Sequence, residues 1–339
     1  MAKPLTGSYK CLTIANAVES FKAKVMKQPI KQVRDWLLYQ LIRACAAIVQ
    51  RLSKERLRTL AERLGNWLYD GLKLRRKLVE QNLLVAFPEK STEERATIAR
   101  KMYHGQALNL LEVLRLPLVR TKHDAQALFE IDPSVIDLHC FSKGRGGVIV
   151  SAHFGNWELM AVCWALATQP IAIVYKPLSN PYLNTLLNQW RTQCGNELIT
   201  MSDAPRLGLR RLREGKLLAL LSDQSGHSDG YFMPFLGRPA SVFLGAAVFA
   251  LRTNLPMLLA MPIRTASGKY RLEITHIPTD DLTYSQENVH RLATRYTQAI
   301  EAYIRRYPEQ WFWLHNRWKH QPSLETAEVS SHQMQNETL

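Results

Sequence analysis

The chain has 339 residues, 46% of them hydrophobic, and a formal net charge of +15. That apolar share is enough for a sizeable core, which excludes a disordered or fibrous polymer. The five cysteines (Cys11, Cys45, Cys140, Cys163, Cys194) are scattered with no paired spacing. They predict reduced thiols in a cytosolic setting, with neither a disulfide framework nor a metal site.

The basic excess is uneven. Residues 1–120 hold 23 Lys+Arg against 10 Asp+Glu, and the remainder 21 against 19. Such a block suits an anionic surface, lipid or nucleic acid. Met1 to Lys31 carries lysines but no apolar core ahead of a cleavage site, so no signal peptide is expected. Trp36 to Val49 is apolar but broken by Gln40 and Arg43 and flanked by Lys31, Arg34 and Arg51. It falls short of the ~20 apolar residues that a spanning helix needs. Two readings stay open: an amphipathic helix lying on a membrane with Trp36 and Tyr39 near the headgroups, or a packed helix with a solvated basic face.

Residues 53–116 read as helical. Ser91-Thr-Glu-Glu94 is a capping box after Pro88, and Ala99, Tyr103, Ala107, Leu110 and Leu114 follow at helical spacing. Arg75, Arg76 and Lys77 extend the basic block, and Pro117 ends the helical part. Lys122 to His139 is a connector with an Asp132-Pro133 turn. From Gly146 on, strand and helix alternate. Val148–Val150, Ile171–Tyr175, Leu217–Ser222 and Pro256–Ile263 read as strands, and Tyr270–His276 alternates as an edge strand does. Trp157–Ala167, Asn184–Trp190 and Val289–Ile304 read as helices. The pattern predicts an α/β fold with a mixed central sheet flanked by helices. Residues 321–339 are polar and aperiodic, a disordered tail in which Asn336-Glu-Thr means little.

The chemistry gathers at Gly146–Leu159, read as strand, tight turn and helix. His153 sits at the carboxyl end of the strand, where open α/β sheets bind ligands, and Asn156 is placed to cap the helix. His153 and Glu158 are five apart and would diverge by roughly 140° on one helix. With His153 ahead of the helix and Glu158 in its first turn, the carboxylate can hold one ring nitrogen and leave the other as a base. Taken alone, that pair is also compatible with a merely structural role. Three further groups stand at strand ends: Tyr175-Lys-Pro177 with Arg191, Asp223-Gln224 with Phe235-Leu-Gly-Arg-Pro-Ala240, and Arg306 to Lys319 with its three tryptophans. Taken singly, Arg238 could be a surface turn residue and the tryptophans plain core.

In this order, the groups resemble the late acyltransferases of lipid A biosynthesis, a branch of the lysophospholipid/glycerolipid acyltransferase superfamily. The resemblance runs from about Arg75 to Pro322. It rests on Asn82-Leu-Leu-Val-Ala-Phe-Pro-Glu89, His153-Phe-Gly-Asn-Trp-Glu158, Tyr175-Lys-Pro177, Phe235-Leu-Gly-Arg-Pro-Ala240 and Pro308-Glu-Gln-Trp311. Lys176 stands where arginine is frequent, and the family's usual N-terminal spanning helix has only the short, charged 36–49 segment in its place.

The resemblance implies a glycerolipid acyltransferase-like fold over residues 53–320, behind a helical membrane-associating segment at 1–52. It implies an O-acyltransferase that moves a fatty acyl group from an acyl carrier protein or coenzyme A thioester to a hydroxyl of a lipid A precursor. No cofactor or metal is called for, and the protein would be peripheral or monotopic at the cytoplasmic face of an inner membrane. His153 would be the base and Glu158 its orienting partner. Asn156, Lys176, Arg191, Asp223 and Arg238 would serve substrate binding, with backbone N–H groups of Gly155 and Asn156 near the oxyanion. Other lipid acceptors, such as a lysophospholipid or an aminolipid, fit the same chemistry. A non-catalytic basic membrane-binding protein is the alternative of another class, and a nucleic-acid binder rests on charge alone.

Overall fold

In the computed structural model, residues 9–131, 144–228 and 230–321 are described, with side chains from residue 29 onward. The expected Asp132-Pro133 turn, Cys140 and the tail beyond Gln321 lie outside the described residues, and Cys11 lies in the part of α1 without described side chains.

Among the described residues, the sheet that positions the site has seven strands: β1 Phe129–Glu130, β2 Gly147–Ser151, β3 Ala172–Tyr175, β4 Glu197–Thr200, β5 Leu217–Leu221, β8 Met257–Arg264 and β9 Tyr270–Ile277. Their order across the sheet is β1-β9-β8-β2-β5-β3-β4. Only the β8–β9 pair is antiparallel, in register from Met257 opposite Ile277 to Arg264 opposite Tyr270. All five residues of β2 are buried, as a central parallel strand covered on both faces requires. A separate hairpin, β6 Phe232–Phe235 and β7 Arg238–Ser241, turns at Leu236 and Gly237, both with positive φ.

Among the described residues the α-helices are α1 Tyr9–Val49, α2 Lys54–Asn66, α3 Arg76–Ala86, α4 Thr92–Val113, α5 Lys122–Leu128, α6 Trp157–Ala167, α7 Pro181–Thr192, α8 Ala204–Arg213, α9 Gly245–Thr253 and α10 Gln286–Arg306. The predicted capping box starts α4: the Glu94 N–H donates to Ser91 Oγ (3.2 Å) and the Ser91 N–H to Glu94 Oε2 (2.7 Å). Ala46 and Val49 of α1 pack with Leu57 and Ala61 of α2 and Ala107 and Leu111 of α4. Two larger clusters fill the opposite faces of the sheet. Val148 and Val150 enter the one beneath α8, α9 and α10, and Ile149 enters the one beneath α5 and α6.

The expected strands and helices are present, with three differences. Tyr270–Ile277 is not the edge, because β1 adds parallel to its first residues, Phe129 opposite Tyr270. The helix expected at 184–190 starts three residues earlier, where Asn180 Oδ1 accepts from the Tyr182 and Leu183 N–H groups. The short strands β1 and β4 and helices α5, α8 and α9 are additional to the expected elements, α5 and β1 lying in the stretch expected as a connector. Trp36–Val49 forms the end of α1. Its Ala46 and Val49 are buried, whereas Trp36, Leu37, Leu38, Leu41 and Ile48 are exposed. Among the described residues no helix is long and apolar enough to cross a membrane.

Candidate active site

Two neighbouring parallel strands set the geometry of the candidate site. Ser151 of β2 lies opposite Leu221 of β5. The chains continue together, the Ser222 N–H donating to the Ser151 carbonyl (3.0 Å). Two residues past each strand, His153 and Asp223 therefore stand side by side. His153 Nδ1 is 2.8 Å from Asp223 Oδ1, and the His153 backbone N–H donates to Asp223 Oδ2 (2.9 Å). With a carboxylate on Nδ1, that nitrogen carries the hydrogen and Nε2 keeps its lone pair. The Gln224 amide nitrogen lies 3.2 Å from Nε2.

The partner of the imidazole is thus Asp223, not Glu158 as the five-residue spacing suggested. Glu158 stands in the first turn of α6, and its carboxylate is taken up side-on by Arg191 of α7, whose Nε donates to Oε2 (2.7 Å) and Nη2 to Oε1. The helix start that frees Glu158 from a continuous turn also directs it along the cleft wall. Asp223 does not hold a substrate-binding cation.

Asp223 is 2% exposed. Burial alone would raise its carboxyl, but the charge of His153 and hydrogen bonds from His153 and Trp311 outweigh it and hold it below the usual carboxylate range. Trp311 Nε1 donates to Oδ2 (2.7 Å). That indole arrives from the C-terminal segment, which pairs with the turn after His153. Phe154 bridges Trp311, the Phe312 N–H donates to the His153 carbonyl (3.0 Å), and the Gly155 N–H to the Gln310 carbonyl (2.9 Å). Asn82 Nδ2 anchors the same segment at the Trp313 and His315 carbonyls, both at 2.9 Å. The block around Asn82 is therefore a brace for the site.

Gly155 adopts φ +51°, and a Cβ there would lie 2.0 Å from the Pro262 carbonyl oxygen, so only glycine fits the turn. Its N–H is already donated to Gln310, so it does not face an oxyanion. Asn156 caps α6, accepting from the Leu159 N–H (3.0 Å), and its Nδ2 donates to Glu112 Oε2 (2.9 Å). At 1% exposure its side chain has no face toward the cleft, against the substrate-binding role expected for it. Ser151 Oγ donates to the Ala260 carbonyl (2.6 Å) and is buried structure.

The turn rests on a buried polar cluster. Arg264 grips Glu112 through both guanidinium arms (2.7 and 2.8 Å), and Tyr270 Oη donates to Glu112 Oε2 (2.7 Å). Asn109 accepts from Arg264 (2.8 Å) and donates to the Gly155 carbonyl (2.5 Å).

A cleft of about 1200 Å3 opens over the strand ends. His153, Gln224, Lys176 and the Glu158–Arg191 pair reach it, together with His315, Lys319 and His320. Arg238 does not; it is exposed on β7 and outside the cleft lining, the surface turn position that it could occupy on sequence grounds. Trp157 packs edge-on against the His153 ring at 4.9 Å, with Phe312 at 6.2 Å. Among the described residues no cluster of ligating side chains could hold a metal ion.

His315 was missed in the sequence. Its Nε2 accepts the Ser225 backbone N–H (3.1 Å), and burial pushes its imidazole down to about 4. With the folded value below the ordinary 6.5, its contribution to stability is full above that value and is lost as pH falls toward about 4. Thermal denaturation followed across pH 4–7 is expected to show this loss, and His315→Gln, which keeps an acceptor without titrating, to flatten it.

These features define an α/β enzyme with a carboxylate-oriented histidine at the strand ends and an apolar cleft beneath. Residues 24–320 match the family model described as bacterial lipid A biosynthesis acyltransferase. The chain belongs to that family. It is 25% identical over 280 residues to the lipid A biosynthesis palmitoleoyltransferase of Escherichia coli K12, covering 79% of this chain and 86% of that one. It is 25% identical over 262 residues to the lipid A biosynthesis lauroyltransferase of the same organism, covering 76% and 84%. A phosphatidylinositol mannoside acyltransferase of Mycobacterium tuberculosis H37Rv matches at 24% over 152 residues, 43% of this chain and 48% of its own.

Proposed function

We propose that the protein moves a fatty acyl group from an acyl carrier protein or coenzyme A thioester to a hydroxyl of a lipid A precursor, with His153 as general base. The observation that carries this reading is the Nδ1 bond to a buried, ionised Asp223, which leaves Nε2 basic beside the cleft. The acceptor hydroxyl gives its proton to Nε2 as its oxygen bonds to the thioester carbonyl carbon. Asp223 stabilises the imidazolium that forms. The tetrahedral intermediate then expels the thiolate, which takes the proton back, and no acyl-enzyme is formed. Gln224, beside Nε2, is the side-chain donor best situated for the oxyanion. Lys176 and Lys319 supply cations for phosphate or acidic groups of the substrates, in place of Arg238. Arg191 is engaged by Glu158 and shapes the wall.

The test is transfer to a lipid A precursor from both kinds of thioester, read by mass spectrometry. A mass gain of one acyl group is expected, absent in His153→Ala. No gain with the wild-type chain, or an unchanged gain in the variant, would overturn the proposal. The partial match to a phosphatidylinositol mannoside acyltransferase makes a glycolipid of that kind the second acceptor to assay.

The reading includes residues 1–52 as a membrane-associating segment ahead of the acyltransferase domain, held to the cytoplasmic face of the inner membrane without crossing it. The exposed Trp36, Leu37 and Leu41, flanked by exposed Lys31, Arg34 and Arg43, support it. So does the junction of α1 with α7. Asn180 Nδ2 donates to the Asp35 carbonyl (2.9 Å), and Tyr39 packs on Tyr182, close in sequence to Lys176 and Pro177 of the cleft wall. Binding to anionic vesicles is expected to weaken in high salt, and to fall about tenfold or more in a Leu37→Glu, Leu41→Glu variant, in a sedimentation assay. Salt-independent, carbonate-resistant association would contradict a peripheral mode.

A further inference from the structure

The apolar lining of the cleft divides into two sets of residues, or lobes, one on each face of the sheet. Alternate residues of a strand face opposite ways. Ile149, Ile173 and Ala219 line the cleft from the α6 face, with Met160 and Trp164 of α6. Val174 and Leu220 line it from the other face, with Ala204 of α8 and Ala246 and Phe249 of α9.

The lobes differ in depth. The α6 lobe reaches Ile149 in the middle of β2 and Ile171 just ahead of β3. From Ile171 to the strand end at Tyr175 is roughly 13 Å at about 3.3 Å per residue. An extended hydrocarbon advances roughly 1.25 Å per carbon, given C–C bonds of about 1.5 Å, so this lobe holds on the order of ten to twelve carbons. The other lobe reaches only the last residues of its strands and the early turns of α8 and α9.

Small side chains keep the deep lobe open. β5 reads Leu-Leu-Ala-Leu-Leu, and its one alanine, Ala219, faces this lobe, while Ala161 lines it from α6. Trp164 stands one helical turn beyond Ala161, 2% exposed, in the same apolar cluster as Ile171. The thioester carbonyl must lie at His153, so its chain needs an apolar path leading down from that point, and the α6 lobe is the one deep enough.

We infer that the α6 lobe measures the transferred acyl chain, with Ala219 keeping its bore open and Trp164 closing its floor. The inference rests on the acyltransfer reading above. It is tested with the full chain and saturated acyl thioesters of eight to eighteen carbons in competition, products being read by mass. The wild-type optimum is expected at about ten to twelve carbons. Ala219→Leu shortens the optimum by two carbons or more, with about a tenfold loss for the longest chain the wild type accepts, because the added bulk blocks the bore. Trp164→Ala lengthens the optimum, and Trp164→Leu does so where the alanine variant fails to fold. Ala246→Leu, in the other lobe, leaves the length profile unchanged. Binding of free fatty acids of the same lengths, followed by displacement of a fluorescent fatty acid, tests the lobe without turnover. If the wild type transfers no acyl group, the acyltransfer reading fails, while the binding profile still judges the lobe. Ala219 and Trp164 variants that keep the wild-type length profile in both assays, or a shift caused by Ala246→Leu, would overturn the inference.

Discussion

Asp223→Asn is expected to lower kcat by about 10²–10⁴-fold with little change in KM, the range of a lost general base. Asp223 Oδ2 accepts from both the His153 N–H and Trp311 Nε1. In the variant those two donors select the amide oxygen for that position, which turns the amide NH2 toward Nδ1. The imidazole then accepts at Nδ1 and carries its hydrogen on Nε2, so the atom beside the cleft is no longer basic. Steady-state kinetics, with circular dichroism to confirm the fold, checks this. Glu158→Gln breaks the pair with Arg191 at the wall and is expected to raise KM, with about tenfold or less on kcat. A Glu158→Gln loss in kcat as large as that of Asp223→Asn would restore Glu158 as a working partner of the base.

Arg264→Ala is expected to destabilise the fold by about 3–5 kcal/mol, because it strands the Glu112 carboxylate among buried groups. Burial would raise Glu112, but the charge and hydrogen bonds of Arg264, with hydrogen bonds from Asn156 and Tyr270, hold it below the ordinary value. The stability from this depressed carboxyl is present above its unfolded value, near 4.3, and is lost as pH falls through the lower folded one. Without Arg264 the balance reverses and burial raises the carboxyl above its unfolded value, so the variant is expected to be least stable near neutral pH and to recover part of the loss as pH falls. Urea denaturation across pH measures both effects. Because Glu112 also holds Asn156, and Asn109 holds the Gly155 carbonyl, the damage reaches the His153 turn. Replacing the pair together, Glu112→Leu with Arg264→Met, is expected to recover much of the stability. A wild-type denaturation midpoint in Arg264→Ala would show that the cluster carries no such weight.

The sequence by itself determined five of the seven sheet strands, the small turn at Gly155 and the placing of His153 at a strand end. These follow from local signals: continuous apolar runs, a small-residue turn with a glycine after His153, and a capping asparagine ahead of an apolar helix. The ordered motifs, from the Asn82 block to Pro308–Trp311, also carried the family. Tertiary structure decided which groups meet. Asp223 lies 70 residues from His153 and Trp311 a further 88, and only the pairing of β2 with β5 and the return of the C-terminal segment bring them to one carboxylate. Glu158, five residues away, was the visible candidate, but Arg191 from a separate helix claims it. Asn156 and Arg238 show the same limit. A polar side chain reads alike in sequence whether it caps a helix, ends on an exposed hairpin or faces a cleft, because its partners come from distant strands and helices. The depth of the cleft beneath α6 is also tertiary, since it exists only where Ala219 of β5 faces α6.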